Sequence, residues 1–467
     1  MAPNGANGKA ATDDLSGMDP HSDDAAALHR EKFLPVTRQA LLDKLTASKL
    51  WPDGQATEAR RFLRYLDYWR RHAYTMRLLD IEQNYEPFSP DTDLVHTRSY
   101  SADEKYAMRK RIVQQMTELL AQGNFTRVNP EDVHFILTKD SHYGLDLQVD
   151  LSAFEEILIF YRGATTITER RRDIKKVFIG WKEVKIPVFQ RLFLLFKLKP
   201  FEQRIDEVAK EKGISRKEAE KIVRALRAQL PPTVSSDYIY MKLFKNMPRA
   251  DVEMIFPNTK VRFRMFDKIK FGVTASSGLG VGAVGTATKV AMATNPYTLA
   301  MAVAGLGGVA VRQAANFINQ RNRYMIVMAR NLYFHSMADN RGVITLLADR
   351  AAEEDGKEEM LLYSVLAKER VNVADLASVD RAIEAYMVKT FGVSVDFDIS
   401  DALGRLKADG LVSEAADGTL EALAPAAAAK RIDELWDLCL DQLPDLPPAE
   451  GEEHAPAPTA AVAERAI

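Results

Sequence analysis

The sequence lacks residues that several large classes of protein require. One cysteine, Cys439, among 467 residues excludes an internal disulfide framework and any zinc site built from several cysteines. The eight histidines are scattered, and no zinc-protease helix, serine nucleophile turn or P-loop is present. The polar N-terminus has no apolar run, which argues against a secretory signal. We therefore predict no catalytic residues, no cofactor and no metal ligands, although enzymatic activity stays an open question.

Acidic side chains are absent from one long stretch. Residues 268–338 contain no Asp or Glu but seven Lys or Arg. Two uncharged runs lie inside it, at 271–288 and 290–311. At about 1.5 Å per residue, each run is close to the length that crosses a hydrocarbon core of about 30 Å. We predict a two-helix transmembrane hairpin with spans near 270–291 and 297–318.

Basic residues occur before and after this stretch. The positive-inside tendency places both outer ends, and with them both termini, on the cytoplasmic side of a bacterial cytoplasmic membrane. The basic residues expected at the membrane surface are Arg170, Arg171, Arg172, Lys175, Lys176, Lys268, Lys270, Arg312, Arg321 and Arg323. Gly278 and Gly282 lie four residues apart and are the predicted helix-packing contact.

Three alternatives to this membrane anchor stay open, two of them because of the composition of the hairpin. It is rich in Gly, Ala, Ser and Thr, so a buried or interfacial hairpin of a soluble regulator also fits. Several hairpins could form an oligomeric pore with Lys289 at its mouth. A membrane-bound enzyme is the third alternative, with a site in the sheet domain made from Arg162, Glu169 and Asp173.

Charge and composition divide the chain into segments. Both ends are acidic, and because the total is −2, the body between them is basic and suits an anionic partner. The predicted segments are a disordered acidic tail (1–30), a helical region (31–130), an α+β sheet domain with the basic cluster (131–265), the transmembrane hairpin (266–320), a helical, winged-helix-like domain (321–443) and a disordered acidic Pro/Ala tail (444–467).

Alternating apolar residues predict the strands of the sheet domain. They lie at 145–151, 156–162, 177–181, 184–188 and 192–198 and form a small antiparallel sheet. A helix follows over 215–230. Ser215 and Glu218 have the spacing of a capping box at its start.

Helical periodicity and turn residues characterise the C-terminal region. The predicted helices cover 358–369, 374–390, 399–408 and 426–441, and two short strands flank the turn at residues 417–418. This order is typical of a winged helix. Its recognition helix is surrounded by acidic residues that would repel a phosphate backbone. We therefore predict protein contact rather than nucleic-acid binding.

Six segments occur in an order that resembles one known family. They are Glu31–Val36, Tyr85–Asp91, Phe160–Gly163, Phe244–Pro257, Tyr333–Val343 and Val395–Leu403. The chain resembles the transmembrane protein 143-like family of unknown function over roughly residues 31–440. The resemblance implies a membrane-bound protein, and some plant members carry a hydrolase or aminopeptidase label that no motif in this chain justifies.

The combined prediction is an α+β membrane protein. It has N-terminal helices, a small antiparallel sheet domain, the transmembrane hairpin and the winged-helix-like bundle. The expected function is that of a membrane-anchored, non-catalytic protein with large cytoplasmic domains. It would act by protein or lipid contact, with the bilayer and a protein partner or second copy as its partners, and without nucleic acid.

Overall fold

The computed structural model defines the fold over most of the chain. It describes residues 30–52, 54–91, 99–128, 145–148, 150–173, 180–228, 230, 234–249, 252, 255–256, 260–263 and 332–441. The predicted hairpin spans and most of both predicted tails lie outside these residues.

Helices make up much of the described chain. They are α1 (Arg38–Leu45), α2 (Gln55–Tyr85), α3 (Ala102–Gln122), α4 (Phe201–Lys212), α5 (Arg216–Arg227), α6 (Asn340–Leu366), α7 (Leu376–Phe391), α8 (Ile399–Ala408) and α9 (Pro425–Asp437). Capping boxes start two of them, Ser101 with Glu104 at α3 and Ser215 with Glu218 at α5. In each box a serine side chain and a glutamate side chain satisfy backbone N–H groups that the helix leaves without partners.

The strands form three antiparallel sheets. They are β1 (Thr126–Arg127), β2 (Leu145–Gln148), β3 (Phe154–Asp173), β4 (Gly180–Leu198), β5 (Tyr240–Pro248), β6 (Lys260–Phe263), β7 (Ser336–Asp339), β8 (Val371–Asn372), β9 (Val412–Glu414) and β10 (Thr419–Ala422). The largest sheet has the order β1-β3-β4-β5-β7, a second pairs β2 with β6, and a third has the order β8-β10-β9.

The chain divides into two compact units. Unit 1 comprises the described residues of Met1–Arg127, Phe160–Pro187 and Asn340–Ile467, and unit 2 those of Val128–Ile159 and Val188–Asp339. Each unit is therefore assembled from segments that are far apart in the sequence.

Helix α6 is the central element of unit 1. It packs against α1, α2, α3 and α8, and its residues 354–364 are all buried. The aromatic rings of Phe62 on α2 and Tyr363 on α6 lie 4.3 Å apart in the apolar core. A helix that is surrounded on all sides usually carries apolar residues. The charged residues of α6 are therefore the unusual feature of this core.

The C-terminal part of unit 1 has two helices followed by a two-stranded hairpin. Helices α7 and α8 lie between β8 and β9 in the sequence, and Leu420 of β10 pairs with Val371 of β8 and with Glu414 of β9. Helix α8 buries Leu403 and Leu406. Its bounds are those that the sequence predicts.

Unit 2 contains a sheet and a separate pair of helices. Strands β4 and β5 pair in a register that joins Phe193 to Leu243, and the stacked rings of Phe196 and Tyr240 lie 5.1 Å apart. Helices α4 and α5 share a small apolar core of their own. Of these two helices, α4 was not predicted from the sequence.

The predicted membrane fold is wrong for the described structure. None of the helices within the described ranges is both long enough and apolar enough to cross a membrane. The longest, α2 and α6, have the length, but charged residues recur along both of them. The described chain is an α+β protein with antiparallel sheets, so its assignment as a membrane protein with a transmembrane hairpin has no support in the fold.

Two other predictions differ from the structure. The strands predicted at 184–188 and 192–198 are parts of one strand, β4, which continues through Pro187. The proline is tolerated because the pairing with β5 begins at the next residue, Val188. Helix α6 begins at Asn340, well before the predicted residue 358. Its charged run with Gly356 masks the helical periodicity.

Candidate functional site

A run of charged residues lies inside the core of unit 1. Residues 353–359 of α6 read Glu-Glu-Asp-Gly-Lys-Glu-Glu. The buried ones are Glu354, Asp355, Lys357, Glu358 and Glu359, each no more than 4% exposed. Charged side chains at such depth require opposite charges and hydrogen-bond partners. Neighbouring elements of unit 1 provide both.

Arg405 of α8 is the main partner of this run. Its Nε donates to Glu359 Oε1 at 2.7 Å, and its Nη2 donates to Glu358 Oε2 at 2.8 Å. Its Nη1 forms an ion pair with Asp355 Oδ1 at 3.2 Å and also pairs with Asp401. The planar guanidinium therefore joins three carboxylates of α6 to α8, a geometry that lysine cannot reproduce.

Arg70 extends the network to α2. Its Nη2 donates to Glu359 Oε2 at 2.9 Å and to Asp409 Oδ2 at 2.6 Å. The other carboxylate oxygen of Asp409 accepts from Trp69 Nε1 at 3.2 Å. Tyr74, one turn beyond Arg70, donates its hydroxyl to Asp355 Oδ2 at 2.7 Å. Helices α2, α6 and α8 are thus joined by one continuous set of polar contacts.

A second group of contacts fixes the segment before α1. Lys357 Nζ lies 2.7 Å from Glu354 Oε1 and donates to the carbonyl oxygen of Leu34 at 2.7 Å. Glu354 Oε2 accepts from the backbone N–H of Leu34 at 2.8 Å. Arg162 of β3 reaches Glu354 Oε1 at 3.1 Å, and its guanidinium lies 4.2 Å from the ring centroid of Phe33. The ion pair between Lys357 and Glu354 therefore also holds the backbone of Leu34 in place through hydrogen bonds.

Burial changes the protonation equilibria of these groups. Burial raises the pKa of Asp355 to about 6 and the pKa of Glu358 to about 8, although Arg405 opposes both shifts. The pKa of Glu359 is also raised by burial. Burial lowers the pKa of Arg405, but the surrounding carboxylates outweigh that effect and raise it overall. The network therefore keeps its cation while its carboxyls bind protons more readily than in water.

Three of these carboxyls have a spacing that metal ions use. Single oxygen atoms of Asp355, Glu358 and Asp401 lie within 4.8 Å of one another. Arg405, however, pairs with all three of them. The guanidinium already supplies the positive charge that a divalent ion would bring, so the cluster works as an internal ion network.

Exposed apolar side chains lie on the surface next to this network. Trp69, which contacts Asp409, lies 5.9 Å from the ring of His72, and His72 lies 5.0 Å from the ring of Trp436 on α9. The aromatic surface is defined here as His72 and Trp436 together with Tyr68, which lies one helical turn before His72 on α2. Tyr68 and Trp436 are 57% and 47% exposed. Exposed apolar residues grouped in this way mark contact sites more often than single ones do.

Charges of opposite sign flank the two helices of this surface. Arg61 and Arg64 of α2 are exposed in the two turns before Tyr68. On α9, the exposed residues Asp433 and Asp437 lie on either side of Trp436 in the sequence. The aromatic surface thus has exposed arginines on its α2 side and exposed aspartates on its α9 side, a pattern that favours a partner with the same two charges in reverse order.

The structure places only some of the residues that the sequence predicts as functional, and those lie on β3. Arg170, Arg171 and Arg172 lie on β3. The other predicted membrane-surface residues, and the packing pair Gly278 and Gly282, lie outside the described residues. Arg162, proposed for an enzyme site, is partly buried and pairs with Glu354. Its guanidinium is therefore engaged by the buried charged run of α6.

Sequence reasoning missed the ion network. Its signal was present as the charged run on α6 and as Arg405 within a predicted helix. The partners of Glu359, however, lie 46 and 289 residues away in the sequence, at Arg405 and Arg70. Spacing along one helix could not reveal them.

Comparison with known proteins adds one family match. Residues 154–342 match a family model described as "Protein of unknown function (DUF3754)". The match covers less than half of the chain. No solved structure matches. The resemblance to the transmembrane protein 143-like family therefore stays a prediction.

Proposed function

We propose that the chain is a non-catalytic protein that acts by protein contact, and that a second copy of the chain docks on the aromatic surface. The observation that carries this proposal is the group of exposed apolar side chains where α2 and α9 meet. Trp436 and Tyr68 are 47% and 57% exposed, and tryptophan and tyrosine contribute strongly to the binding energy of interfaces.

The charge pattern favours a second copy as the occupant. A two-fold axis parallel to the aromatic surface would bring the basic α2 edge of one copy against the acidic α9 edge of the other. Both charge pairs would then be attractive at once. A partner with a uniform charge would be repelled at one of the two edges.

The ion network supports this role by holding the surface in shape. Trp69 is fixed by Asp409, which is fixed by Arg70 and through it by Glu359. The surface is therefore backed by a core with many directional contacts. A preformed surface loses less conformational entropy when it binds.

Sedimentation velocity on the full chain over a range of concentrations tests the proposal. We expect a dimer that becomes a monomer in the variant Tyr68→Ser/Trp436→Ser. The matched control is Tyr106→Ser/Val388→Ser, which removes two similarly exposed side chains outside the surface and should stay dimeric. A monomeric wild-type chain, or a dimer that survives the first variant, would overturn the proposal.

Charge reversal sharpens the test. We expect Arg64→Glu and Asp437→Lys each to weaken self-association, because each places like charges together. Mixing the two variants should restore a heterodimer, because each reversed residue then meets an opposite charge. If the mixture stays monomeric, the two-fold arrangement is wrong even if a dimer exists.

A further inference from the structure

Helices α4 and α5 of unit 2 are joined by a short, sharp turn. Only Gly213, Ile214 and Ser215 separate them. Gly213 has a φ of 61°, in the left-handed region that favours glycine. Ser215 then caps α5. A three-residue turn with glycine between two helices of this length is the pattern of a helix-turn-helix motif.

Ion pairs show that α5 crosses α4 rather than running back along it. Arg216, the first residue of α5, pairs with Glu202 and Asp206 in the first half of α4. Glu202 lies ten residues before the end of α4, or about 15 Å along the helix axis. In an antiparallel hairpin, Arg216 would instead face the last turn of α4. Arg227, at the other end of α5, also reaches the start of α4, where it lies 5.8 Å from the ring of Phe201.

Apolar side chains around one alanine form the contact between the two helices. Ala219 is fully buried, and Ile205, Val208 and Val223 surround it. A small residue at the crossing allows the two backbones to approach closely. The packing therefore fixes which face of α5 points into the motif and which points away.

The outward face of α5 is basic. Lys217, Lys221 and Arg224 follow one another at helical spacing and are exposed. Arg224 pairs with Glu220 on its own helix, and the two lysines form no ion pair within the part of unit 2 that the structure describes. The acidic residues of α4 nearest to this helix, Glu202 and Asp206, are engaged by Arg216.

We infer that α4 and α5 form a helix-turn-helix that binds double-stranded DNA, with α5 in the major groove. A major groove about 12 Å wide admits an α-helix, and the three cations would lie near the phosphates that line it. This site differs from the recognition helix predicted in the C-terminal region. There, Arg405 of α8 pairs with the buried carboxylates of Glu358 and Glu359 and so does not face a phosphate.

Fluorescence anisotropy with a labelled DNA duplex of about 20 base pairs tests this inference on the full chain. We expect binding that weakens steeply between about 50 and 200 mM salt. The variant Lys217→Gln/Lys221→Gln/Arg224→Gln should bind at least tenfold more weakly and lower the salt slope by about 3. Its circular dichroism and thermal midpoint should match those of the wild type.

The control variant is Lys49→Gln/Lys389→Gln/Lys430→Gln. It removes three exposed charges from unit 1, one of them also paired within its helix. It should bind DNA as the wild type does. Equal loss in both variants would reduce the effect to net charge and overturn the inference.

Two competitors separate DNA from other anions. Duplex RNA has a major groove too narrow for a helix, and polyglutamate has no groove. We expect neither to displace the DNA at equal charge concentration. If either competes equally, or if the wild-type chain does not bind the duplex, α5 is not a DNA-reading helix.

Discussion

Two highly charged segments of this protein have opposite environments. Residues 353–359 of α6 and residues 216–224 of α5 each contain six charged side chains. Those of α6 are nearly all buried, whereas Arg216, Lys217, Lys221 and Arg224 of α5 are exposed. The difference lies in their partners. Distant elements bring arginines to α6, and no comparable set surrounds the outer face of α5 in the described structure.

The comparison teaches that charge density alone does not indicate the surface. A buried carboxylate is tolerated when a guanidinium satisfies it with directed hydrogen bonds. Arg405 does so for three carboxylates of α6 at once. An arginine on the outer face of α5 has no such buried carboxylates around it and would stay exposed to solvent.

The largest effect is expected from removing the shared cation of α6. Arg405→Met should destabilise the protein by about 3–5 kcal/mol, because it leaves Glu358 and Glu359 buried without that partner. The control Arg224→Met removes an exposed ion pair of α5 and should change stability by about 0–1 kcal/mol. Urea unfolding followed by tryptophan fluorescence measures both. Similar losses in the two variants would remove the distinction between the two segments.

A smaller effect is expected from pH. The raised pKa values of Asp355 and Glu358, about 6 and about 8, mean that the folded state binds these protons more tightly than the unfolded state. This contribution to the stability of the folded state is complete below the ordinary carboxyl pKa values. It is lost as the pH rises through the raised pKa values of about 6 and about 8. We expect the free energy of unfolding to fall by roughly 1–3 kcal/mol over that interval.

The variant Glu358→Gln assigns the upper part of this pH dependence. It removes the titrating group, so its unfolding free energy should be nearly flat between pH 7 and pH 9. Urea titrations at several pH values measure the two curves. An unchanged slope in the variant would show that another group is responsible.

The smallest effect is expected at the turn before α5. Gly213→Ala should cost about 1 kcal/mol, because alanine disfavours the left-handed backbone. The matched control, Gly404→Ala within α8, should stabilise by about 0.5–1 kcal/mol. An added methyl group meets no other atom within 4 Å at either glycine, so only the backbone conformation differs. Thermal unfolding compares them, and a loss at both positions would contradict this reasoning.

Local features were predictable from the sequence. The bounds of α8 and the capping box of Ser215 with Glu218 agree with the structure. Both depend on residues within a few positions of each other, where spacing determines which groups meet. Helix α4 was missed although it is equally local, because seven of its twelve residues are charged and its apolar periodicity is weak.

The membrane assignment failed for a different reason. It depended on the composition of residues 268–338, of which the structure describes only 332–338. Composition alone does not distinguish a membrane-spanning stretch of small residues from a buried or interfacial one. The resemblance to a membrane-bound family supported the same conclusion. The described helices gave no span to support it.

The sequence by itself determined the capping box of α5, the bounds of α8 and strand segments within β3 and β4, because neighbouring residues create these features. Only the tertiary structure decided that the charged run of α6 is buried in the core of unit 1. Its stability depends on Arg70, Arg162 and Arg405, which reach it from three separate elements. The aromatic surface likewise exists only because α2 and α9 pack together. Contacts between distant segments are set by the fold as a whole, and local spacing carries no record of them.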